Sequence, residues 1–339
     1  MSEVQGRFLR LRQRYEGAIE ETIQRAVAQA ELEGTSLEAM LQYHMGTGGK
    51  RLRAVLPMMV ARALRVDPEE VIGFGAACEL IHNATLVHDD LQDGDRCRRG
   101  ESTVWVRFGE AQAINLGDAM LYLAPLCLDD VAAQDELRWA VGREIFTQVL
   151  RVIDGQQREF ELSFSSARWP EYERMVEGKT SGLFALPLVG TARLCGAEAA
   201  VAKALEAAAG HLGVLFQMQD DVLDLYGEKG REQRGGDIRE GKISALVVAF
   251  CEEAPAEEVA RLREIIEADR DETGADDVAW AIEAFRRRGA LAAVLEAIDE
   301  RRRRAVGGAG LEEREGLREL IEGLADLFLE PIDGVRRGR

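Results

Sequence analysis

Two copies of one acidic pattern, each set inside a long apolar segment, restrict what this chain can fold into. The first is Asp89-Asp90-Leu91-Gln92-Asp93 and the second is Asp220-Asp221-Val222-Leu223-Asp224. Leu86, Val87 and Leu91 surround the first; Leu215, Phe216, Val222, Leu223 and Leu225 surround the second. On a helix, residues four apart share a face, so Asp89 stacks with Asp93 and Asp220 with Asp224. Like charges held together cost free energy unless something positive joins them. In a chain with 31% charged residues an acidic pair is often a solvated helix face. The apolar flanks of both copies argue against that reading here. Mg²⁺ suits the pattern, because it takes oxygen ligands and typically binds one or two carboxylates together with substrate phosphates.

The rest of the chain reads as helix. Residues 3–33, 36–45 and 51–65 are helix-patterned, with a turn at Met45-Gly46-Thr47-Gly48-Gly49. Asp67-Pro68-Glu69-Glu70 opens a helix, an Asp cap followed by Pro and acids, that runs to about Asp93. Helices are expected over 110–131, 135–164 and 197–226, with shorter ones starting near Pro170 and Lys179. The stretch 227–241 reads as loop, with five glycines, and helices continue to about 329. Nothing alternates as a strand would. The fold class is all-α, one domain over 1–339, with a tail over 331–339 expected to fray. Arg301 to Arg304 reads as a solvated helix face.

A net charge of −18 argues against nucleic acid or an anionic membrane as the main partner. The five cysteines are odd in number, scattered and without a CxxC, as in a reduced cytoplasmic protein lacking structural zinc. No run of eighteen uninterrupted apolar residues suggests a transmembrane segment.

An acidic metal site needs an anion to hold, and three basic groups offer one. In Gly48-Gly49-Lys50-Arg51-Leu52-Arg53 glycines lead into a helix whose first turn is expected to carry Lys50 and Arg53 on one face, an arrangement that binds anions. Arg96, Arg98 and Arg99 follow the first acidic motif, where they would either bridge to it or cage a diphosphate. Lys179-Thr180 and Lys242 make a third, weaker group. His82, two turns before Asp89, shares its face.

In order along the chain these pieces are GGKRLR at 48–53, HNATLVHDDLQD at 82–93, RRGEST at 98–103, KT at 179–180, FQMQDDVLD at 216–224 and GGDIREGK at 235–242. The set resembles the trans-isoprenyl diphosphate synthases, or polyprenyl synthetases, over most of the chain. The resemblance implies a single helical bundle of the isoprenoid synthase type around a central cavity, cytoplasmic and homodimeric. It implies that isopentenyl diphosphate is condensed with allylic prenyl diphosphates, with three Mg²⁺ ions when substrate is bound. Asp89 and Asp93, with Asp90 nearby, would bind Mg²⁺ on the allylic diphosphate, and Asp220, with Asp221 and Asp224, a further ion. Arg98, Lys179, Gln217 and Lys242 would contact the allylic diphosphate, with Thr180 beside them. Lys50, Arg53, His82 and Arg99 would hold isopentenyl diphosphate. The lysine that members often carry before the Gly-x-Asp segment is missing, and Arg231 or Arg234 is the candidate replacement.

The growing chain would run along the first motif helix, past Thr85, Ala84 and Ile81. Ala84 and Thr85 are small, so the expected product has about twenty carbons or more. A terpene cyclase would share the first motif but not the second or GGKRLR. A His-Asp phosphohydrolase would want more than the chain's four histidines. A non-catalytic synthase subunit would tend to lose aspartates that are all present here.

Overall fold

The computed structural model describes residues 3–227, 234–270, 272–308, 310–311 and 313–338. Its helices begin with α1 (Glu3–Gln29), α2 (Ser36–Gly46) and α3 (Leu52–Ala63). A short 3-10 turn, Pro68–Val71, leads into α4 (Ile72–Gln92), with the Asp67 side chain accepting from the Glu69 amide as a cap. A hairpin of β1 (Cys97–Arg98) and β2 (Glu101–Ser102) follows, then α5 (Val104–Phe108), α6 (Glu110–Leu126) and α7 (Asp135–Glu161). Next come α8 (Trp169–Val176), a π turn over Glu177–Ser181, α9 (Gly182–Leu194) and α10 (Ala199–Tyr226). The last stretch holds α11 (Gly236–Arg239), α12 (Ala245–Glu253), α13 (Ala256–Ile266), α14 (Ala275–Arg287), α15 (Ala290–Val306), α16 (Glu315–Leu329) and α17 (Asp333–Arg337).

The chain forms two compact units, each assembled from three segments. Unit 1 comprises Met1–Val149, Ala185–Glu206 and Arg314–Leu320. Its centre is α4, which packs against α1, α3 and α6. Helix neighbours on several sides explain why α4 is apolar nearly all round: Phe74, Ala76, Ala77, Leu80, Ile81, Ala84 and Val87 are all buried. Each large apolar side chain buried in this way contributes about 1.5–3 kcal/mol. The helices approach closely, and a Cβ at Gly75 would lie 2.4 Å from the Ala54 carbonyl oxygen.

Unit 2 comprises Leu150–Phe184, Ala207–Glu313 and Ile321–Arg339. Here α12 packs on α8, α14 and α15, and Phe184, Phe216 and Phe328 form an aromatic cluster with centroids 5.0–5.5 Å apart. By length and composition α10 could also cross a membrane, with a mean hydropathy of 1.3 over its most apolar window, but 56% of that window is buried in the protein.

Three local expectations need correction. Within the described residues the tail from 331 to 338 is held, not frayed: Ile332 is fully buried, Asp333–Arg337 is helical, and Arg336 Nη2 lies 2.7 Å from Asp299 Oδ1. In the arginine run, Arg302, Arg303 and Arg304 pair with acids as a solvated face would, but Arg301 is half-buried against Glu173 and His211. The arginine loop after α4 contains strands. They have two residues each, too short for any alternation to show.

Candidate active site

Unit 1 gathers the first acidic motif and two of the basic groups. In the GGKRLR segment Gly48 and Gly49 have φ of +92° and +131°, backbone that favours glycine. A Cβ at Gly49 would also lie 2.7 Å from Arg99 Nη1. Arg51 has φ of +55° and caps α3, so the helix starts at Leu52. Lys50 is therefore exposed in the loop before α3 and not in its first turn, a correction to the expected shared face with Arg53.

The Arg53 side chain is half-buried and its Nη1 lies 3.1 Å from His82 Nε2. Arginine can only donate, so His82 Nε2 accepts and its proton sits on Nδ1. Burial, with Arg53 next in effect, pushes the His82 pKa well below the usual imidazole range, and burial lowers Arg53 to about 10. The histidine is neutral and the arginine charged near pH 7.

The turn Arg98-Arg99-Gly100-Glu101 joins the two strands through two residues of positive φ, +55° and +84°. That is a type I′ hairpin turn. It sends Arg98 Nε onto Asp90 Oδ1 at 2.6 Å, and the Arg99 guanidinium onto the Gly48 carbonyl. Burial outweighs Arg98 at Asp90 and raises its pKa to about 6. Asp89 is half-buried, and so is Asp93, which caps the C-terminal end of α4. His88 packs over Gly117, where a Cβ would lie 2.1 Å from Nε2, and that ring nitrogen is 3.3 Å from the Ile114 carbonyl. Of the expected length-determining residues, Ile81 and Ala84 are buried and Thr85 is half-buried, its hydroxyl donating to the His82 carbonyl.

Unit 2 holds the second motif with its own cations. Lys179 lies in the π turn, and a Cβ at Gly155 of α7 would come within 2.0 Å of its amide nitrogen. The Lys179 ammonium pairs with Glu159. Thr180 Oγ1 donates to Gln217 Oε1 at 3.1 Å, and Gln217 Nε2 donates to Asp221 Oδ1 at 3.0 Å. Asp221 Oδ2 accepts from the Tyr172 hydroxyl at 2.8 Å and the Ala245 amide at 2.7 Å. Burial still raises the Asp221 pKa above the usual carboxylate range. Asp224 Oδ2 accepts from the Asp237 amide at 3.2 Å, while Asp220 is half-buried. Lys242 Nζ meets Glu240 Oε2 at 2.8 Å. Arg234 is exposed, and Arg231, the other candidate for the missing lysine, lies outside the described residues.

The sequence profile of the polyprenyl synthetase family matches residues 35–285. Over 288 residues the chain is 32% identical to a short chain isoprenyl diphosphate synthase of Methanothermobacter thermautotrophicus, spanning 84% of this chain and 86% of that protein. The chain belongs to the polyprenyl synthetase family. It is also 35% identical over 242 residues to a geranylgeranyl pyrophosphate synthase of Geoglobus acetivorans, covering 69% of this chain and 74% of that one. A crystal structure of a polyprenyl synthase from Caulobacter crescentus, complexed with calcium and isoprenyl diphosphate, matches with a TM-score of 0.84 at 25% identity, over 96% of this chain and 97% of that chain. The all-α isoprenoid synthase fold is thus shown, and with it a prenyltransferase of isoprenoid biosynthesis.

The aspartates of this polyprenyl synthetase fit a hard divalent cation. The donors are carboxylate oxygens, and Asp90 Oδ2 is buried without a hydrogen-bond partner. Among the described residues no three His, Cys, Asp or Glu side chains converge as a ready-made ion site. A cation that keeps waters and completes its shell with substrate phosphate suits such a half-built site.

Several residues here escaped the reading of the sequence. Glu79 accepts from Arg51 Nη1 at 3.0 Å, Asn83 Nδ2 at 3.0 Å and the Ala54 amide at 3.2 Å. His44 Nε2 lies 3.2 Å from Asn83 Oδ1, and burial, then Arg98 and Arg99, lowers its pKa to about 4. A signal existed for Glu79, the one charged residue between Ile72 and Ile81. A lone carboxylate there has to find a buried partner. Glu159 and Tyr172 carried no comparable mark.

Proposed function

We propose that this prenyltransferase condenses isopentenyl diphosphate with an allylic diphosphate and releases an all-trans polyprenyl diphosphate of about twenty carbons or more. The observation that carries this reading is the cationic cluster of unit 1. Arg53 and His82 meet in one place and Arg99 closes on the glycine loop, while Arg98 is committed to the acidic motif. One set of cations suits one diphosphate and a second set, with the aspartates, suits another.

In the reaction the allylic carbon–oxygen bond breaks heterolytically and its electron pair leaves with diphosphate. The double bond of isopentenyl diphosphate forms the new carbon–carbon bond to the allylic cation, and a proton then departs to the released diphosphate. Arg98, Lys179 and Lys242 would bind the leaving group and oppose the charge that grows on it. Lys50, Arg53, His82 and Arg99 would fix isopentenyl diphosphate, with neutral His82 orienting Arg53. Asp89, Asp90 and Asp93, with Asp220, Asp221 and Asp224, would hold Mg²⁺, which supplies further charge neutralisation on diphosphate. Tyr172 and the Ala245 amide keep Asp221 in place beside Gln217.

The product length rests on small Ala84 and Thr85 beside Ile81, and on a relative named for a geranylgeranyl product. The homodimer is supported by α7, which exposes Trp139, Phe146, Leu150, Ile153 and Phe160 along one helical stripe. Such a stripe marks an interaction surface, and a second copy of the chain is the occupant we assign. A reducing, cytoplasmic setting accords with five free thiols. The test is substrate dependence in the presence and absence of Mg²⁺. Product should require both diphosphates and disappear with a chelator; product from the allylic substrate alone would point to a cyclase.

A further inference from the structure

The cations of the GGKRLR loop do different jobs, and Glu79 separates them. Its carboxylate is 4% exposed and the Arg51 side chain 11%, so the ion pair between them is buried. Glu79 Oε1 takes Arg51 Nη1, and Oε2 takes the amide of Ala54 in the first turn of α3. Arg51 Nη2 in turn donates to the Met45 carbonyl near the end of α2. One carboxylate on α4 thereby ties both ends of the loop from Gly46 to Arg51. The backbone of that loop needs tying. Arg51 holds a left-handed φ of +55°, which is uncommon for residues other than glycine. Asn83, one turn after Glu79 on the same helix, donates to Glu79 Oε1. Three residues after Glu79, His82 meets Arg53. The same helix thus grips the loop at Arg51 and its sequel at Arg53.

We propose that Glu79 is a positioning residue for the isopentenyl diphosphate half of the site, acting through Arg51. Paired with Glu79, Arg51 serves the loop and not the substrate. What the pair secures is the placement of Lys50 and Arg53. This rests on the function proposed above.

The test is steady-state kinetics on the full chain, with Glu79→Gln and the double variant Glu79→Gln/Arg51→Gln. The amide keeps the shape of Glu79 but turns one acceptor into a donor facing another donor. The KM for isopentenyl diphosphate should rise roughly ten-fold, the worth of about one charged hydrogen bond, while the KM for the allylic substrate and kcat hold within about two-fold. The double variant leaves no unpaired charge, so its Tm should return toward that of the wild type while the KM for isopentenyl diphosphate stays high. A purely structural pair would give a KM that recovers together with Tm, and that result overturns the proposal. So does an unchanged KM in Glu79→Gln, or an equal rise for both substrates. If Glu79→Gln does not fold, the double variant decides alone. Calorimetric binding of inorganic diphosphate separates this claim from the function. Weaker binding by the variants, with no isopentenyl incorporation by the wild type, overturns the function and keeps the positioning role. Equal binding overturns the positioning role.

Discussion

Gly155→Ala sets two physical effects against each other. Gly155 lies inside α7, where alanine is the better helix former by about 1 kcal/mol. Propensity alone therefore predicts a more stable protein. The packing predicts the reverse. A Cβ at Gly155 would stand 2.0 Å from the Lys179 nitrogen, 2.5 Å from the Gly178 carbonyl carbon and 2.7 Å from the Lys179 Cα. Ordinary carbon contacts lie at roughly 3.5–4.0 Å, so backbone has to move by more than about 1 Å. Overpacking of this kind costs about 1–3 kcal/mol, and all three atoms are main chain that cannot rotate away. The net expectation is a loss of up to about 2 kcal/mol, seen as a fall of up to a few degrees in Tm. The segment that moves carries Lys179 and Thr180. A displacement near 1 Å at a reacting centre costs about 100-fold in rate, so kcat/KM for the allylic substrate should fall by that order. Thermal unfolding and allylic kinetics on the one variant read both effects. A variant with raised Tm and undiminished activity would refute the reasoning, because propensity would then have outweighed the contact.

Other consequences are as direct. The His44 pKa is lowered to about 4 from its ordinary 6.5, so His44 supports the fold fully above pH 6.5 and loses that support as pH falls toward 4. Relative to His44→Gln, the wild type should lose about 3 kcal/mol between pH 7 and pH 4 in denaturant titrations; a pH-independent difference would contradict the burial of a neutral ring. Ala84→Phe should shorten the product, and unchanged product length in a folded variant would remove Ala84 from the path of the growing chain. Leu150→Glu puts a charge on the exposed α7 stripe and should give a monomer by sedimentation; an unaltered dimer would move the interface elsewhere.

The elements that carry the motifs were legible in the sequence. The acidic motifs fall on α4 and α10 as their apolar flanks and four-residue spacing require, because helix periodicity is local. The glycines at 48 and 49 marked a turn for the reason the structure shows, positive φ beside an incoming arginine. What the sequence hid depends on long-range partners. Lys50 falls outside α3 because Arg51, paired with Glu79 28 residues away, adopts a left-handed backbone, which is uncommon for arginine. The type I′ turn at Arg99-Gly100 is flanked by strands too short to carry a pattern. The order in the tail comes from Ile332 and Arg336 finding burial and an acid on other helices.

The central claim is chain elongation on isopentenyl diphosphate, and the most direct measurement is product length. Purified protein would be incubated with Mg²⁺, labelled isopentenyl diphosphate and, in turn, the ten-, fifteen- and twenty-carbon allylic diphosphates, and the products sized after dephosphorylation. The expected result is a ladder of all-trans prenols ending at one length of about twenty carbons or more, set by the path beside Ala84 and Thr85. Folded protein that incorporates no label with any of the three primers would contradict it.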